Sequence, residues 1–202
     1  MRKTGATGPK HTLCRRIGSC IWGSPKCPSA RRPYSAGPHG KNRRSKLSGY
    51  GELLLEKQKL RMHYSLSERQ LRAEFQKAKT SKESTGSKLL GSIERRLTSL
   101  VFHGGLAPTI FAAKQAVNHR HVLVDGRVVD RAAFHVKPGQ VISINAERSP
   151  AIAELARKTN AVIPPYLEVD RDNLKVTLAR EPLPDEIPAG VEITRVVEFY
   201  AR

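Results

Sequence analysis

One histidine and three cysteines near the start of the chain are the residues best suited to hold a metal ion. Two residues separate His11 from Cys14, a spacing typical of paired zinc ligands, and Cys20 and Cys27 follow. One imidazole nitrogen and three thiolates could close a tetrahedral structural zinc site. The alternative is three free thiols in a basic extension. Of the two we expect the free thiols, keep zinc as the competing hypothesis, and assign no metal ligand or other cofactor from these residues.

The odd number of cysteines and the absence of an export signal argue against a disulfide framework and favour a reducing compartment. Catalytic motifs are also absent, because the sequence contains no P-loop, no paired carboxylates and no Ser/His/Asp arrangement. Asp125 and Asp130 fall on a predicted hairpin, where turn chemistry explains them better than catalysis. We therefore expect a protein that is not an enzyme and has no small-molecule substrate.

Positive charge is concentrated at the N-terminus. The first fifty residues carry twelve basic side chains and no acidic one: Arg2, Lys3, Lys10, Arg15, Arg16, Lys26, Arg31, Arg32, Lys41, Arg43, Arg44 and Lys46. A segment of this kind favours a partner with dense negative charge, and a nucleic-acid backbone is such a partner because each phosphate contact releases counterions. A solvated basic tail and a tail lying on anionic lipid are the alternatives.

The net charge of +18 over 202 residues falls steadily along the chain, and residues 146–202 carry more acidic than basic side chains. This gradient indicates an RNA-facing end and an end suited to a protein neighbour. No run approaches the roughly 18 apolar residues of a membrane helix. The Arg- and Ser-rich N-terminus is also typical of a mitochondrial transit peptide, but patterned sequence begins almost at once. We therefore expect a bacterial cytoplasmic location and keep an organellar one as the alternative.

Hydrophobic periodicity predicts an α+β fold. Residues 1–49 form a basic extended arm, and helical patterns begin at Tyr50 and again after Ser67, where Gln70 completes a capping box. A third helix is predicted from Ser87 to the glycine pair at 104–105, and Pro108 suits the first turn of a fourth.

The pattern then changes to the alternation of strands. Residues 122–129 predict a hairpin around an Asp125-Gly126 type I′ turn, and 141–144 predict a further strand. A short helix is predicted after Ser149, followed by extended segments at 166–169 and 174–178 and a closing strand at 196–200.

Two helices followed by a small sheet, over residues 94–146, make a compact unit that could bind RNA. Its exposed helix face has charge and amide donors suited to backbone and 2′-hydroxyl contacts. The candidates on this face are Arg95, Arg96, Lys114, Gln115, His119, Arg120 and His121. An ordinary solvated helix face, with the histidines placed by the helix dipole, explains the same residues equally well.

Longer strings within this unit carry a family resemblance. The segments ERRL (94–97), APTIFAAKQ (107–115), NHRHVLVDG (118–126) and VKPGQVI (136–142) resemble the αL RNA-binding motif, and more specifically the family of small-subunit ribosomal protein four. The strings RRPY (31–34), GPHG (37–40), LSGYG (47–51), EKQKLR (56–61) and VVEFYAR (196–202) resemble that family in the same order. The resemblance covers roughly nine-tenths of the chain.

The resemblance implies three parts: a basic arm (1–49), a helical body (50–93, joined by 147–202) and an αL module (94–146). It implies direct binding to small-subunit ribosomal RNA, nucleation of assembly of the subunit body, contact with ribosomal protein five and other small-subunit proteins, and a contribution to translational accuracy. The candidate RNA-binding residues are Arg15, Arg16, Arg31, Arg32, Tyr34, His39, Lys41, Arg43, Arg44 and Lys46 in the arm, Lys57, Lys59, Arg61 and Arg69 in the body, and the seven residues of the αL face.

Several positions depart from the family pattern. Arg120 stands where the family usually has glycine, and Lys114 replaces a usual arginine. Some family members hold zinc with four N-terminal cysteines, whereas this chain has His11 in place of one of them and a shortened loop. Trp22, Tyr34 and Tyr50 could stack on bases or could anchor the arm to the helices. The competing functions are an RNA-modifying enzyme with an αL module, which requires catalytic residues that we do not find, and a free RNA chaperone or messenger-RNA repressor.

Overall fold

The computed structural model describes residues 11–41 and 47–201, which form two compact units. The first comprises the described residues up to Ala73 together with those from Ala189 onward, and the second comprises residues 74–188. Within the described residues there are eight α-helices and five strands, so the fold is α+β as predicted. None of the described helices is both long enough and apolar enough to span a membrane.

The first unit contains α1 (Thr12–Ile17), a 3₁₀ turn (Pro28–Ala30), α2 (Gly49–His63), the start of α3 (Glu68–Lys79) and α8 (Ile193–Ala201). The predicted capping box is confirmed at the start of α3. Ser67 Oγ accepts from the Gln70 amide at 3.2 Å, and Gln70 Oε1 accepts from the Ser67 amide at 3.0 Å. Because two orphan amide groups gain acceptors, this short sequence fixes the start of α3.

The predicted closing strand at 196–200 is wrong, because these residues lie in α8, which packs against α2. Ile193, Val196, Val197 and Tyr200 recur at i, i+3, i+4 and i+7, which is the period of a helix face. Val196 is completely buried, and the Tyr200 hydroxyl donates to Glu68 at 2.8 Å. The strand prediction followed the β-branched pair at 196–197 and missed the longer helical period.

The second unit contains α4 (Thr85–Glu94), α5 (Leu97–His103), α6 (Ile110–Asn118) and α7 (Pro150–Arg157). The single third helix predicted from Ser87 is therefore wrong: it breaks into α4 and α5. At the break the chain pairs with residues 134–136, where the Leu97 amide donates to the Phe134 carbonyl at 2.7 Å and the Val136 amide to the Arg95 carbonyl at 2.9 Å. Pro108 precedes α6, whose N-cap is Thr109.

A five-stranded antiparallel sheet packs with these helices, and its strand order is β2-β1-β3-β5-β4. The strands are β1 (Val122–Val124), β2 (Arg127–Val128), β3 (Val141–Ile144), β4 (Leu167–Asp170) and β5 (Lys175–Leu178). The predicted β1–β2 hairpin is confirmed, with φ of 49° at Asp125 and 77° at Gly126. Positive φ at both positions is what a type I′ turn requires.

The sheet changes how residues 147–202 relate to the rest of the chain. We expected this whole segment to join the helical body, but β5 pairs with β3, so residues through 188 belong to the same unit as the αL residues. Only the described residues from Ala189 onward belong to the unit that contains α2. The core of the second unit includes Leu97, Leu100, Val117 and Ile142. The αL residues thus rest on a larger sheet than the sequence predicted.

Candidate metal centre and nucleic-acid interface

The four metal-ligand candidates converge into one cluster, which we call the His–Cys centre (His11, Cys14, Cys20 and Cys27). One donor atom from each residue lies within 4.8 Å of all the others. His11 precedes α1 and Cys14 lies in its first turn, while Cys27 immediately precedes the 3₁₀ turn. His11 Nδ1 and Cys27 Sγ are 3.1 Å apart. The short HxxC spacing and two loops therefore bring three sulfurs and one nitrogen together.

The thiols of the His–Cys centre have different surroundings. Burial raises the pKa of the Cys14 thiol to about 11, an effect that the Ile21 amide opposes and the neighbouring cysteines reinforce. Burial also acts to raise the pKa of Cys27, but hydrogen bonds from the Ser29 hydroxyl and amide, together with those of Cys20 and Cys14, outweigh it and lower that pKa. The Ser29 hydroxyl donates to Cys27 Sγ at 3.1 Å. Of these two thiols, Cys27 is therefore the one whose surroundings favour the ionised form overall.

The donor set of the His–Cys centre fits zinc. A tetrahedral site with Zn–S distances of about 2.3 Å places its sulfurs about 3.8 Å apart. Donor atoms that already lie within 4.8 Å of one another can reach that geometry by small side-chain rotations. Because all four ligands would be protein side chains, a bound zinc ion would be structural and would leave no open coordination position for catalysis.

Trp22 connects the His–Cys centre to α2 within the first unit. Its ring packs edge-on against His11, with ring centroids 5.5 Å apart. Its indole nitrogen donates to the carbonyl oxygen of His63 at 3.3 Å, and the His63 ring contacts the carbonyl oxygen of Ile21 at 3.1 Å. Of the two roles considered for Trp22, this geometry matches the anchor rather than a free stacking platform.

Four cations surround a cavity beside the His–Cys centre, which we call the cationic cavity. It has a volume of about 710 Å³, and its lining includes Arg15, Lys26, Arg31 and Arg32. Lys26, Arg31 and Arg32 are exposed. Lys26 was not among the sequence candidates, although its position directly before Cys27 in an acid-free segment could have identified it. The cavity is large enough to admit a phosphodiester with its flanking sugars.

The remaining arm candidates differ in exposure. Arg16, His39 and Lys41 are exposed. Tyr34 is half-buried, with Arg15 at 5.2 Å and Lys41 at 5.9 Å from its ring centroid. The side chain of Arg15 also donates to the Ser35 carbonyl at 3.3 Å. Arg43, Arg44 and Lys46 lie outside the described residues.

Among the body candidates, the expectation of an exposed phosphate-facing side chain is wrong for Lys57. Its side chain is buried, pairs with Glu68 at 3.0 Å and lies 4.5 Å from the Phe199 ring centroid. A cation held in this way stabilises the packing of α2 with α3 and α8. Lys59 is half-buried and pairs with Glu56, and Arg61 is half-buried and 3.9 Å from Glu68.

Arg69 is exposed on α3 and remains available to a partner. Tyr50, at the start of α2, is 56% exposed, and its ring centroid lies 5.7 Å from that of Phe199.

The expectation of an exposed, phosphate-facing side chain is also wrong for Arg96, which is only 5% exposed. Its guanidinium lies 3.6 Å from Glu74, whose carboxylate also accepts from Ser92 at 2.6 Å and faces His135 at 3.5 Å. Burial alone raises the pKa of Glu74, but the hydrogen bonds from His135 and Ser92 and the nearby positive charges of His135 and Lys77 lower it to about 2. Arg96 is thus part of a buried ionic network.

Arg95 is half-buried and also has intramolecular partners. Its Nε donates to the Val136 carbonyl at 3.1 Å, and its guanidinium pairs with Glu181 at 2.6 Å. These partners could not be predicted from the sequence, because they lie 41 and 86 residues further along the chain.

The other αL candidates lie on α6 and just after it. Gln115, His119 and Arg120 are exposed, and the rings of His119 and His121 lie 6.0 Å apart. The imidazole of His121 contacts the Ser149 hydroxyl. Lys114 is half-buried, and burial together with the nearby Arg96 charge lowers its pKa. The structure therefore keeps a polar surface at the C-terminal end of α6.

Arg120 adopts the left-handed conformation, with φ of 65°, where the family pattern has glycine. This conformation costs a side-chain-bearing residue roughly 1–2 kcal/mol. The exposed ion pair of Arg120 with Asp130, at 3.1 Å, contributes about 0.2–1 kcal/mol to the free energy of unfolding. We expect Arg120→Gly to raise the free energy of unfolding by about 0.5–1 kcal/mol in denaturant titrations. Arg120→Ala is the control, because it removes the ion pair and keeps the strain; equal stability of the two variants would contradict this account.

Comparison with known proteins resolves the family. The small ribosomal subunit protein uS4 of Bacillus cytotoxicus is 44% identical over 97% of this chain and 98% of its own length. The chain belongs to the uS4 family. The uS4 proteins of Paracoccus denitrificans and Bifidobacterium animalis are both 42% identical, over 98% and 94% of this chain and 99% and 95% of their own lengths.

Two domain families match in succession. The ribosomal protein S4/S9 N-terminal domain matches residues 6–94, and the S4 domain matches residues 95–142. The second match lies within residues 94–146, the range predicted from the sequence for the αL module. Membership in the uS4 family makes this chain a structural ribosomal protein and not an enzyme.

Proposed function

We propose that this protein binds small-subunit ribosomal RNA directly, nucleates assembly of the subunit body and contributes to translational accuracy. The observation that carries the proposal is the exposed cation group of the first unit. Arg16, Lys26, Arg31, Arg32 and Lys41 are exposed, and no acidic residue precedes Glu52. Charges of this density in a segment without acidic residues favour a polyanion, and membership in the uS4 family supports ribosomal RNA as that polyanion.

The two RNA-facing regions have different roles in this proposal. The exposed arginines of the arm supply phosphate affinity that is independent of sequence, whereas the exposed polar residues Gln115, His119 and Arg120 supply the fit to RNA shape. Lys57 and Arg96 have no part in it, because both are buried against carboxylates. Arg43, Arg44 and Lys46 are assigned to the arm by their charge alone.

Structural zinc in the His–Cys centre is part of the proposal and replaces the free thiols expected from the sequence. A segment as short as residues 11–41 buries little apolar surface, and a metal ion supplies folding free energy that such a segment lacks. Elemental analysis of the purified chain should give one zinc per protein, and the variant Cys27→Ser should lose it. Metal-free wild-type protein at neutral pH under reducing conditions would restore the free-thiol interpretation.

The RNA assignment is tested by competition. The purified full-length chain should bind small-subunit ribosomal RNA and should retain it against an excess of large-subunit ribosomal RNA at moderate ionic strength. Replacing Gln115 and His119 together by alanine should reduce this preference while leaving the salt dependence of binding nearly unchanged. Equal binding to both RNAs by the wild-type chain would overturn the proposal.

The arm is tested by salt dependence. Replacing Arg31 and Arg32 by alanine removes two phosphate contacts, so the slope of log K against log salt should become shallower by about 1.4–1.8 units. Preference between RNAs should survive, because these contacts carry no sequence information. The matched control replaces the exposed pair Arg171 and Lys175, which lies in the less basic C-terminal part, and should leave the slope within about 0.3 units of wild type. An unchanged slope together with lost preference would contradict the division of roles.

The protein partners and location are proposals as well. Residues 146–202 carry a small excess of acid, which suits a protein neighbour better than phosphate, and we propose ribosomal protein five as that neighbour on a cytoplasmic ribosome. The chain should remain with small subunits after a high-salt wash. Cross-links from Glu198, which is exposed on α8, to ribosomal protein five would support the contact, and cross-links to RNA alone would contradict it.

A further inference from the structure

The cationic cavity and the His–Cys centre share their walls. His11 and Cys27 line the cavity as well as offering metal ligands. Arg15 follows Cys14 directly on α1, Lys26 precedes Cys27, and Arg31 is the residue that ends the 3₁₀ turn opened by Cys27. Each of these three cations therefore lies in a short segment that also contains a candidate metal ligand.

Apart from the contacts of Arg15 with Ser35 and Tyr34, few buried groups within residues 11–41 fix these segments against one another. Among these described residues, Cys14, Cys27, Ser29 and Gly40 are the buried ones, so two of the four buried positions are thiols of the centre. α1 packs against the 3₁₀ turn, and the donor atoms that join them are those of the His–Cys centre. Crosslinking by a metal ion would fix the spacing of the two walls, and its loss would release them.

We propose that metal occupancy of the His–Cys centre controls the binding of RNA phosphates in the cationic cavity. The inference rests on the proposed function and adds regulation to it: the phosphate contacts of the arm depend on zinc. A bound zinc ion would fix the positions of the cations before RNA binds. The free energy of RNA binding would then not be reduced by the cost of ordering them.

The ligand set suits this role electrostatically. Three thiolates and one neutral imidazole around Zn²⁺ carry a net charge of −1, whereas four thiolates would carry −2. The histidine at position 11, which itself lines the cavity, therefore halves the negative charge that an approaching phosphate meets. The surrounding arginines and lysine then dominate the local field, since no acidic residue precedes Glu52.

The first test measures RNA binding with and without metal. Full-length protein, zinc-loaded or treated with a chelator and repurified, is titrated with an oligouridylate of about ten nucleotides at several salt concentrations. Removing zinc should weaken binding about tenfold and make the salt slope shallower by about 2 units, the contribution of three single-strand phosphate contacts. In the triple variant Lys26→Ala, Arg31→Ala, Arg32→Ala, zinc removal should have no further effect. The matched control Arg171→Ala, Lys175→Ala should keep the full zinc dependence.

A second measurement remains decisive if the metal-free chain folds poorly. Binding of two ligands is reciprocal, so saturating oligouridylate must tighten zinc binding by the same factor of about ten. Competition with a chromophoric chelator measures this shift on the zinc-loaded protein, and the triple variant should not show it. Zinc affinity unaffected by oligouridylate, oligouridylate affinity unaffected by zinc, or failure to bind zinc at all would each overturn the inference.

Failure of this inference and failure of the proposed function are distinguishable. Zinc-independent binding to oligouridylate together with a retained preference for small-subunit RNA would reject the metal control and keep the ribosomal assignment. Zinc-dependent binding to oligouridylate with no preference between ribosomal RNAs would keep the metal control and reject the ribosomal assignment.

Discussion

Replacing Glu94 by alanine should lower the free energy of unfolding by about 3–5 kcal/mol, the cost of removing one member of a buried charged network. Glu94 is completely buried, its carboxylate accepts from the Tyr166 hydroxyl at 2.6 Å, and it contacts the imidazole of His103. Burial, reinforced by the neighbouring Glu94 carboxylate, raises the pKa of Tyr166 and keeps its hydroxyl protonated as a donor. The substitution takes this acceptor away from a tyrosine that has no exposed surface.

Hydrogen exchange of the β1, β3 and β5 amides is the appropriate measurement, because these strands form the sheet of the same unit. The fluorescence of Trp22, which belongs to the first unit, would not report the change. Tyr166→Phe is the graded control: it removes one hydroxyl and should cost about 1–2 kcal/mol. If Glu94→Ala were less destabilising than Tyr166→Phe, the buried carboxylate would not be the organising group of this network.

Acidification should destabilise the second unit through Glu74, by about 3 kcal/mol between pH 5 and pH 2. The folded protein holds the pKa of Glu74 at about 2, against an ordinary value of 4.5, because the hydrogen bonds of His135 and Ser92 outweigh the burial that opposes them. A lowered carboxyl pKa contributes stability that is fully present above the unfolded-state value. That stability is lost as the pH falls toward the folded value.

The variant Glu74→Gln isolates this contribution. At pH 7 it should be less stable than wild type by about 3 kcal/mol, and the difference should shrink as both proteins are acidified toward pH 2. Glu154→Gln is the matched control, because Glu154 pairs with Lys158 on the surface of the same unit and should contribute less than about 1 kcal/mol. Parallel pH profiles for wild type and Glu74→Gln would contradict the role assigned to the buried carboxylate.

Elements with local determinants were predictable from the sequence. The start of α3 depends on Ser67 and Gln70, three residues apart, and the β1–β2 turn depends on the adjacent pair Asp125 and Gly126. In both cases the side chains that fix the backbone are neighbours in sequence. The family strings were equally local, so the αL module and the uS4 family could be identified without coordinates.

Features that depend on distant partners were not predictable. Arg96 looks like a surface cation in sequence, and its burial requires Glu74, which lies 22 residues earlier on another helix. The break between α4 and α5 requires residues 134–136, and the placement of β5 beside β3 requires a pairing across more than thirty residues. The convergence of His11 and Cys27 likewise depends on how the intervening loops fold, so the spacing of the cysteines alone left zinc and free thiols open.

The division of the chain has a consequence for its synthesis. The first unit needs α8 to cover α2, and in the sequence the residues of the second unit come between these two helices. During translation the second unit can therefore complete its sheet once residue 178 has emerged, whereas the buried face of α2 stays uncovered until α8 has been made. Folding of this protein thus departs from the usual N-to-C order, and premature termination would leave α2 uncovered.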